Sequence, residues 1–194
     1  MQEPRQRHWD AVMRLLRNLK SSPGQGILLP SSNDLRLHVY CDSDWASCPM
    51  TRRSVTGYFI LLGSAPISWK TKKQSTVSRS SAEAEYRAIA NATSEAVWLR
   101  NLLRSVHVPI PSAHLYCDNQ AALHIAANPV FHERTKHIEI DCHFVRKRIL
   151  FGEVITLYVS TKEQLADLFT KALGHRPFHH LLGKLGISNL HAPT

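Results

Sequence analysis

The sequence predicts an α/β fold, in which a five-stranded mixed sheet of three antiparallel strands followed by parallel strands is flanked by α-helices. Residues 35–42 alternate between apolar and polar side chains, the period of a strand with one face on a core. Residues 82–106 instead repeat apolar side chains every three or four positions, as a helix does. Two further strand-like runs separated by short turns follow residue 42 and indicate an antiparallel meander. The predicted order is β-β-β-α-β-α-α-β-α.

Composition is compatible with one domain and favours a polyanionic partner. The chain has 194 residues, 43% of them hydrophobic, which is enough for a substantial core. Lysine and arginine total 24 against 15 acidic residues, a formal net charge of +9. This excess favours nucleic acid as a partner, and a merely basic protein is the alternative. We expect no membrane partner, because no apolar run approaches the ~20 residues of a membrane span, and no signal peptide opens the chain.

The four cysteines show no C-x-x-C spacing. Cys41 and Cys117 fall on the apolar faces of their predicted strands, so we expect buried free thiols in a reducing compartment. A zinc site built from Cys142 and His143 is the alternative, although two adjacent residues do not have the spacing typical of zinc ligands.

The first part of the chain supplies a helix and three strands. Residues 5–20 carry Trp9 and other apolar side chains at helical spacing, with basic residues on the remaining faces. After the strand over 35–42, further strands are predicted over 54–62 and 67–77. The last of these is polar and basic, which is typical of an edge strand.

A long helix is predicted over 82–106, opened by a capping box in which Ser80 is the cap and Glu83 reaches back to it. Glu83 lies on a solvated face, whereas the inward stripe consists of Glu85, Ile89, Ala92, Ala96, Leu99 and Leu103. An ionised carboxylate on an inward face is unfavourable unless it is paired or binds a metal. Glu85 is therefore a candidate functional residue; the alternative is a partly exposed Glu85 bonded to a backbone group.

The second part of the chain alternates strands and helices, and residues 131–140 are left unassigned. The predicted elements are a strand over 113–118, a helix over 120–127, a basic helix over 141–150, a strand over 153–159, a last helix from a capping box at 161–164 to Gly174, and a weak amphipathic piece over 178–185. Asp167 falls at the edge of the apolar face of the last helix.

Acidic residues end two of the predicted strands. Both strands finish Tyr-Cys-Asp, at Asp42 and Asp118, and parallel neighbours would place these carboxylates side by side. Bare carboxylates there repel each other, and a divalent cation is the usual remedy. Asp44 is the one rival to Asp42. With Glu85 and Asp167, the sequence has four acidic residues on four elements and a basic surface, as two-metal phosphodiester chemistry requires.

The motifs on these elements resemble ribonuclease H, and more closely the ribonuclease H domain at the end of copia-type LTR retrotransposon polyproteins. They are Tyr40-Cys41-Asp42-Ser43-Asp44-Trp45-Ala46, Arg53-Ser54-Val55-Thr56-Gly57-Tyr58, Ser80-Ser81-Ala82-Glu83-Ala84-Glu85-Tyr86, Asp118-Asn119-Gln120-Ala121-Ala122, Lys136-His137-Ile138 and Ala166-Asp167-Leu168-Phe169-Thr170-Lys171. The resemblance implies a ribonuclease H-like domain over 34–174. It also implies a remnant of the reverse transcriptase tail over 1–33 and a C-terminal tail over 175–194.

The resemblance implies an endonuclease that cuts the RNA strand of RNA–DNA hybrids and leaves a 3′-hydroxyl and a 5′-phosphate. The implied catalytic residues and metal ligands are Asp42, Glu85, Asp118 and Asp167, holding two Mg²⁺ ions, with Mn²⁺ as the alternative. Gln120 matches a position that contacts the minor groove of the hybrid. The other candidate nucleic-acid contacts are Ser81, Lys70, Lys72, Lys73, Arg146, Lys147 and Arg148, although a run of basic residues is often only a solvated face.

The implied partners are an RNA–DNA hybrid and a reverse transcriptase domain of the parent polyprotein, with no small-molecule cofactor. The implied location is intracellular, in a cytoplasmic virus-like particle or in the nucleus. Ribonucleases H usually carry a histidine before the last acidic residue, and residues 160–166 of this chain contain none. Its absence leaves catalytic turnover undecided, whereas the predicted metal site does not depend on it. The alternatives are an inactive or truncated fragment that only binds nucleic acid, and a related nuclease such as an integrase or resolvase.

Overall fold

The computed structural model describes residues 3–128 and 138–189. The elements in chain order are α1 (Gln6–Ser21), β1 (Gln25–Ile27), β2 (Leu37–Asp44), β3 (Val55–Leu62), β4 (Ala65–Lys73), α2 (Ser81–Ser105), β5 (Ala113–Cys117), α3 (Gln120–Ala127), α4 (Glu139–Leu150), β6 (Val154–Tyr158), α5 (Asp167–Thr170), α6 (His175–Lys184) and β7 (Ile187–Asn189). No helix within the described residues is long and apolar enough to span a membrane.

Five strands form the main sheet in the order β4-β3-β2-β5-β6. β3 pairs antiparallel with β4 and with β2, β5 pairs parallel with β2, and β6 pairs parallel with β5. The predicted mixed α/β sheet is therefore confirmed. Tyr40 of β2 lies directly opposite Tyr116 of β5, so the two Tyr-Cys-Asp sequences stand side by side.

Helix α2 covers one face of this sheet with the predicted stripe. Ser80 caps its first turn by accepting a hydrogen bond from the N–H of Glu83 at 3.2 Å. Ile89, Ala92 and Ala96 are completely buried in a core that also contains alternate residues of β2 and β5. The helix register that was inferred from periodicity is therefore confirmed, and it fixes the direction in which Glu85 points.

Two predicted strand ends are wrong by a few residues, because the observed ends of these strands are determined by their pairing with β3. β2 does not end at Asp42 but continues to Asp44, which pairs with Val55. The edge strand β4 ends at Lys73 rather than at residue 77, because its partner β3 begins at Val55, opposite Lys73. Asp42 thus lies within β2, where it pairs with Gly57 of β3.

The predicted last helix, which was to continue from its capping box to Gly174, is also wrong. The chain forms a 3₁₀ turn over Thr161–Glu163 and then the single turn α5. Gln164 separates them in an extended conformation and is completely buried. Its side-chain amide donates to the carbonyl of Cys41 at 3.0 Å, and its side-chain oxygen accepts from the N–H of Ala166 at 3.2 Å. These side-chain contacts favour a kinked connection over a continuous helix.

The segment after the predicted domain packs against it and also pairs with the segment before it. The weak amphipathic piece over 178–185 forms most of α6. Leu181 of α6 and Leu185 directly after it are buried with Phe59 and Leu61 on the second face of the sheet. β7 pairs antiparallel with β1, a contact that the sequence did not predict. The domain boundaries at residues 34 and 174 stay a prediction.

Helix α1 forms where its periodicity predicts a helix, but its apolar side chains remain outside the core. Trp9 is 60% exposed and Leu19 is 59% exposed. The motif residues Lys136 and His137 lie outside the described residues, as do Pro129 and residues 190–194 of the predicted tail.

Candidate metal centre and nucleic-acid interface

The four acidic residues that the sequence singles out come from four elements and meet at one edge of the sheet. Asp42 is 1% exposed within β2, Glu85 is 6% exposed in the first turns of α2, and Asp167 is 4% exposed at the start of α5. Asp118, directly after β5, is partly exposed. The sheet register brings Asp42 and Asp118 together, and the inward stripe of α2 adds Glu85.

The side chains form two overlapping groups of potential metal ligands. Oxygen atoms of Asp42, Asp118 and Asp167 all lie within 4.8 Å of one another. A second group, also within 4.8 Å, contains Glu85, Asp118 and the sulfur of Cys117. Asp118 belongs to both groups, whereas the rival Asp44 belongs to neither. Clustered carboxylate oxygens are the ligands that hard divalent cations such as Mg²⁺ prefer.

Electrostatics around these groups favours a cation. Burial, together with the charges of Asp42, Cys117 and Asp118, raises the pKa of Glu85 to about 10, against a weaker opposing effect of the hydrogen bond from the N–H of Ser43. Burial also raises the pKa of Asp167 to about 6. Without a bound cation, the protein therefore holds a proton on Glu85 at neutral pH, because a further negative charge there is unfavourable.

Hydroxyl groups and one ammonium group contact the carboxylates, and the sequence analysis assigned none of them a role. Thr161 donates its hydroxyl hydrogen to Asp118 at 2.7 Å, and Thr170 donates to Asp42. The ammonium of Lys171 donates to Asp42 at 3.1 Å and to Asp167 at 2.8 Å. Lys171 stands four residues after Asp167, a helical spacing that could have pointed to this pair.

Glu83 has a structural role that differs in one detail from the predicted one. Its carboxylate pairs with Arg87 at 2.9 Å and accepts the N–H of Arg79 at 2.8 Å. The prediction that Glu83 reaches back to the N–H of Ser80 is wrong, because Arg87 one turn later and Arg79 one residue earlier hold both its oxygens. Glu83 belongs to neither of the metal-ligand groups, whereas Glu85 belongs to one of them.

The predicted nucleic-acid contacts fall into separate places. Lys70, Lys72 and Lys73 are exposed on β4 and line a cavity of about 250 Å³ together with Arg87. Ser81 is exposed at the start of α2, and the exposed Gln120 begins α3.

The basic residues of α4 do not line that cavity. Arg146 donates to the carbonyl of Ile125 at 3.0 Å, and Arg148 pairs with Glu153 at 3.0 Å, so both have structural partners. Lys147 is exposed, with its ammonium 5.8 Å from the ring centre of Phe151. The structure therefore supports the edge strand as a basic surface more than it does α4.

The four cysteines are free thiols, and Cys41 and Cys117 are buried, as predicted. Cys41 and Cys117 follow the paired tyrosines of β2 and β5 and so stand next to each other. Cys142 is buried, and within the described part of the chain neither it nor His143 belongs to a group of potential metal ligands.

Comparison with known proteins identifies relatives over nearly the whole chain. The chain is 44% identical over 192 residues to the retrovirus-related Pol polyprotein from transposon RE2 of Arabidopsis thaliana, which covers 96% of it. It is 33% identical over 178 residues to the corresponding polyprotein from transposon TNT 1-94 of Nicotiana tabacum, which covers 92%. The chain spans 13% of the length of each of these relatives. No protein-family model matches it.

Solved structures of ribonucleases H share the fold. LC11-RNase H1, isolated from compost, aligns with a TM-score of 0.51 at 13% identity, over 70% of this chain and 93% of that chain. A structure of LC11-RNase H1 in complex with an RNA/DNA hybrid aligns with a TM-score of 0.50 at 10% identity, over 70% and 94%. By sequence the chain therefore corresponds to one segment of the retrovirus-related Pol polyproteins of transposons, and that segment has the ribonuclease H fold.

Proposed function

We propose that the chain is the ribonuclease H domain of a copia-type retrotransposon polyprotein, a divalent-metal-dependent endonuclease that hydrolyses the RNA strand of RNA–DNA hybrids during reverse transcription. The observation that carries this proposal is the pair of ligand groups that share Asp118. They lie on a fold for which a hybrid complex of LC11-RNase H1 has been solved.

The donor chemistry fits two hard cations. Asp42, Asp118 and Asp167 would hold one, and Glu85 and Asp118 the other, with Mg²⁺ as the expected ion and Mn²⁺ as the alternative. When bound, such ions activate a water molecule and stabilise the leaving oxygen of the phosphodiester. The thiol of Cys117 is a poor ligand for either ion, so we assign it to the wall of the site.

The protein's own contribution is to hold the carboxylates in place. The N–H of Ser43 orients Glu85, and the hydroxyl of Thr161 orients Asp118. Gln164 ties the segment before Asp167 to the backbone of β2. Ligands that are fixed in this way need little rearrangement when a cation arrives, and such preorganisation is a main source of catalytic efficiency.

Substrate binding is assigned to the exposed basic edge. Lys70, Lys72 and Lys73 would contact phosphates of the hybrid, and Gln120 and Ser81 would reach its minor groove. Cleavage would leave a 3′-hydroxyl and a 5′-phosphate. The polyprotein relatives support a covalent link to further polypeptide. We propose a reverse transcriptase domain as that partner, and we place the activity inside the cell, where retrotransposon RNA is copied.

The test is cleavage of a labelled RNA–DNA hybrid by the purified chain, with Mg²⁺ or with EDTA. We expect the RNA strand to be cut in the presence of Mg²⁺ alone, with double-stranded RNA and double-stranded DNA left intact. Binding of the hybrid without cleavage under Mg²⁺ and under Mn²⁺ would contradict the proposal and favour a fragment that only binds nucleic acid.

A further inference from the structure

The side chain of Lys171 lies between two of the carboxylates that would hold a cation. Its backbone N–H closes the single turn of α5 by donating to the carbonyl of Asp167 at 3.0 Å. Its ammonium donates to Asp42 at 3.1 Å and to Asp167 at 2.8 Å, using the Oδ1 atom of each. These two aspartates belong to the group of three carboxylates that is completed by Asp118.

The environment of the ammonium explains why it stays there. Asp42 and Asp167 are almost completely buried, and two buried carboxylates of like charge are unfavourable without a neutralising partner. The side chain of Lys171 is 33% exposed, so it reaches the site from the solvent side. Burial alone would lower the pKa of Lys171, but the bond to Asp167 and the charges of Asp42 and Asp167 outweigh burial, and the pKa lies above its ordinary value.

We propose that Lys171 is an internal cation that occupies the site when no metal is bound and competes with a divalent ion for the oxygens of Asp42 and Asp167. The inference rests on the proposed function, because it concerns the same site. A divalent ion and an ammonium group use the same carboxylate lone pairs. The ammonium must therefore give up at least part of its hydrogen bonding when an ion binds.

Competition of this kind has two consequences. The metal-free protein keeps its carboxylates together and stays folded without an ion. The observed affinity for the ion is lower than the carboxylates alone would give, because binding also breaks the contacts of Lys171. The flexible four-carbon stem of a lysine lets the ammonium move toward solvent without a change in the backbone.

The experiment measures Mn²⁺ and Mg²⁺ binding by calorimetry, without nucleic acid, together with the thermal midpoint in EDTA. Lys171→Met removes the ammonium and keeps an unbranched side chain. We expect it to lower the midpoint in EDTA and to raise metal affinity about tenfold to a hundredfold, as loss of charged hydrogen bonds predicts. Lys20→Met, an equal charge change on the exposed helix α1, should alter neither quantity.

Lys171→Arg separates charge from packing. It keeps a permanent positive charge, so we expect a stable protein in EDTA whose metal affinity is no higher than that of the parent. This comparison holds even where Lys171→Met folds only after metal is added, a result that itself supports the proposal. Equal metal affinity in the parent and Lys171→Met overturns it, as does a gain in affinity in Lys171→Arg equal to that in Lys171→Met.

Failure of the inference and failure of the proposed function give different results. Hybrid cleavage by the parent, combined with equal metal affinity in the parent and in Lys171→Met, rejects the role of Lys171 alone. Tighter metal binding by Lys171→Met, combined with no cleavage by the parent, rejects the nuclease and keeps the competition. Absence of metal binding in every variant rejects the competition.

Discussion

Tyr40 and Tyr116 stack across the parallel strands β2 and β5, with their ring centroids 4.7 Å apart. Because the two strands are in this register, the aspartates two residues further along each chain segment end at the same edge of the sheet. The resulting closeness of Asp42 and Asp118 is the basis of the proposed metal centre.

Asp118 is expected to be indispensable because both ligand groups contain it. Asp118→Asn should reduce hybrid cleavage by orders of magnitude. The thermal midpoint in EDTA should be unchanged or higher, since a like charge is removed. Cleavage rates and melting curves beside the parent test this. Asp44→Asn is the matched control, because Asp44 belongs to neither group. Near-parent cleavage by Asp118→Asn would show that the site is wrongly placed.

Glu85 and Glu83 should differ in their effects although they stand two residues apart. Glu85→Gln should abolish cleavage, because Glu85 is in a ligand group. Glu83→Gln should keep cleavage, because Glu83 contacts Arg87 and the N–H of Arg79. Loss of the ion pair between Glu83 and Arg87 in this variant should lower the free energy of unfolding by about 0.5–1 kcal/mol. Both variants are assayed for cleavage and for urea denaturation. The reverse pattern of activity would require a different register for α2.

The stability of the metal-free protein should fall as the pH rises. Glu85 has a pKa raised from 4.5 to about 10, so the folded state binds its proton more tightly than the unfolded state does. That contribution is present below the unfolded pKa and is lost as the pH rises through the folded one. Between pH 6.5 and 9 in EDTA, we expect a decline of at most about 1.4 kcal/mol per pH unit.

Glu85→Gln should flatten this decline, because glutamine does not titrate. Asp167 does not interfere with the test, because its pKa of about 6 limits its contribution to pH values below the measured range. Urea denaturation at several pH values in EDTA provides the measurement. A slope that is equal in the parent and in Glu85→Gln would mean that another group titrates in this window.

The lysines of β4 should contribute to binding of the hybrid through phosphates. Affinity should fall steeply with salt, and Lys72→Ala should reduce the slope of log affinity against log salt by about 1. Fluorescence anisotropy in EDTA, from low to physiological salt, measures the slope. Lys184→Ala is the control, because Lys184 already pairs with Glu163. An unchanged slope in Lys72→Ala would remove the edge strand from the interface.

Gln164 should stabilise the segment that carries Asp167. Gln164→Ala removes its bonds to the carbonyl of Cys41 and the N–H of Ala166, which leaves buried polar groups without these partners. We expect a loss of about 1–3 kcal/mol in the free energy of unfolding and weaker metal binding. Lys162→Ala, an exposed neighbour, serves as the control in the same denaturation and calorimetry experiments. Equal stability of Gln164→Ala and the parent would contradict this role.

Periodicity was a good guide wherever one face of an element meets the core. It predicted the strand that carries Asp42 and the inward direction of Glu85. These features follow from apolar side chains at regular spacing, which a sequence displays directly.

Periodicity could not predict the contacts that single side chains make. Gln164 breaks the predicted last helix through hydrogen bonds to a strand more than a hundred residues earlier. The three-residue strands β1 and β7 are too short to show a pattern, and they pair although they lie near opposite ends of the described chain. Lys171 was read as part of a motif, and its place between two carboxylates emerges from the fold.

The β1–β7 pair determines how mechanical load would enter this domain. Gln25 pairs with Asn189, so the start of β1 and the end of β7 are neighbours. Tension applied through flanking polypeptide would peel these two strands apart one hydrogen-bonded pair at a time, before any force reaches the main sheet. The strands β2 and β5, whose ends position Asp42 and Asp118, would thereby be shielded from tension in the flanking polypeptide.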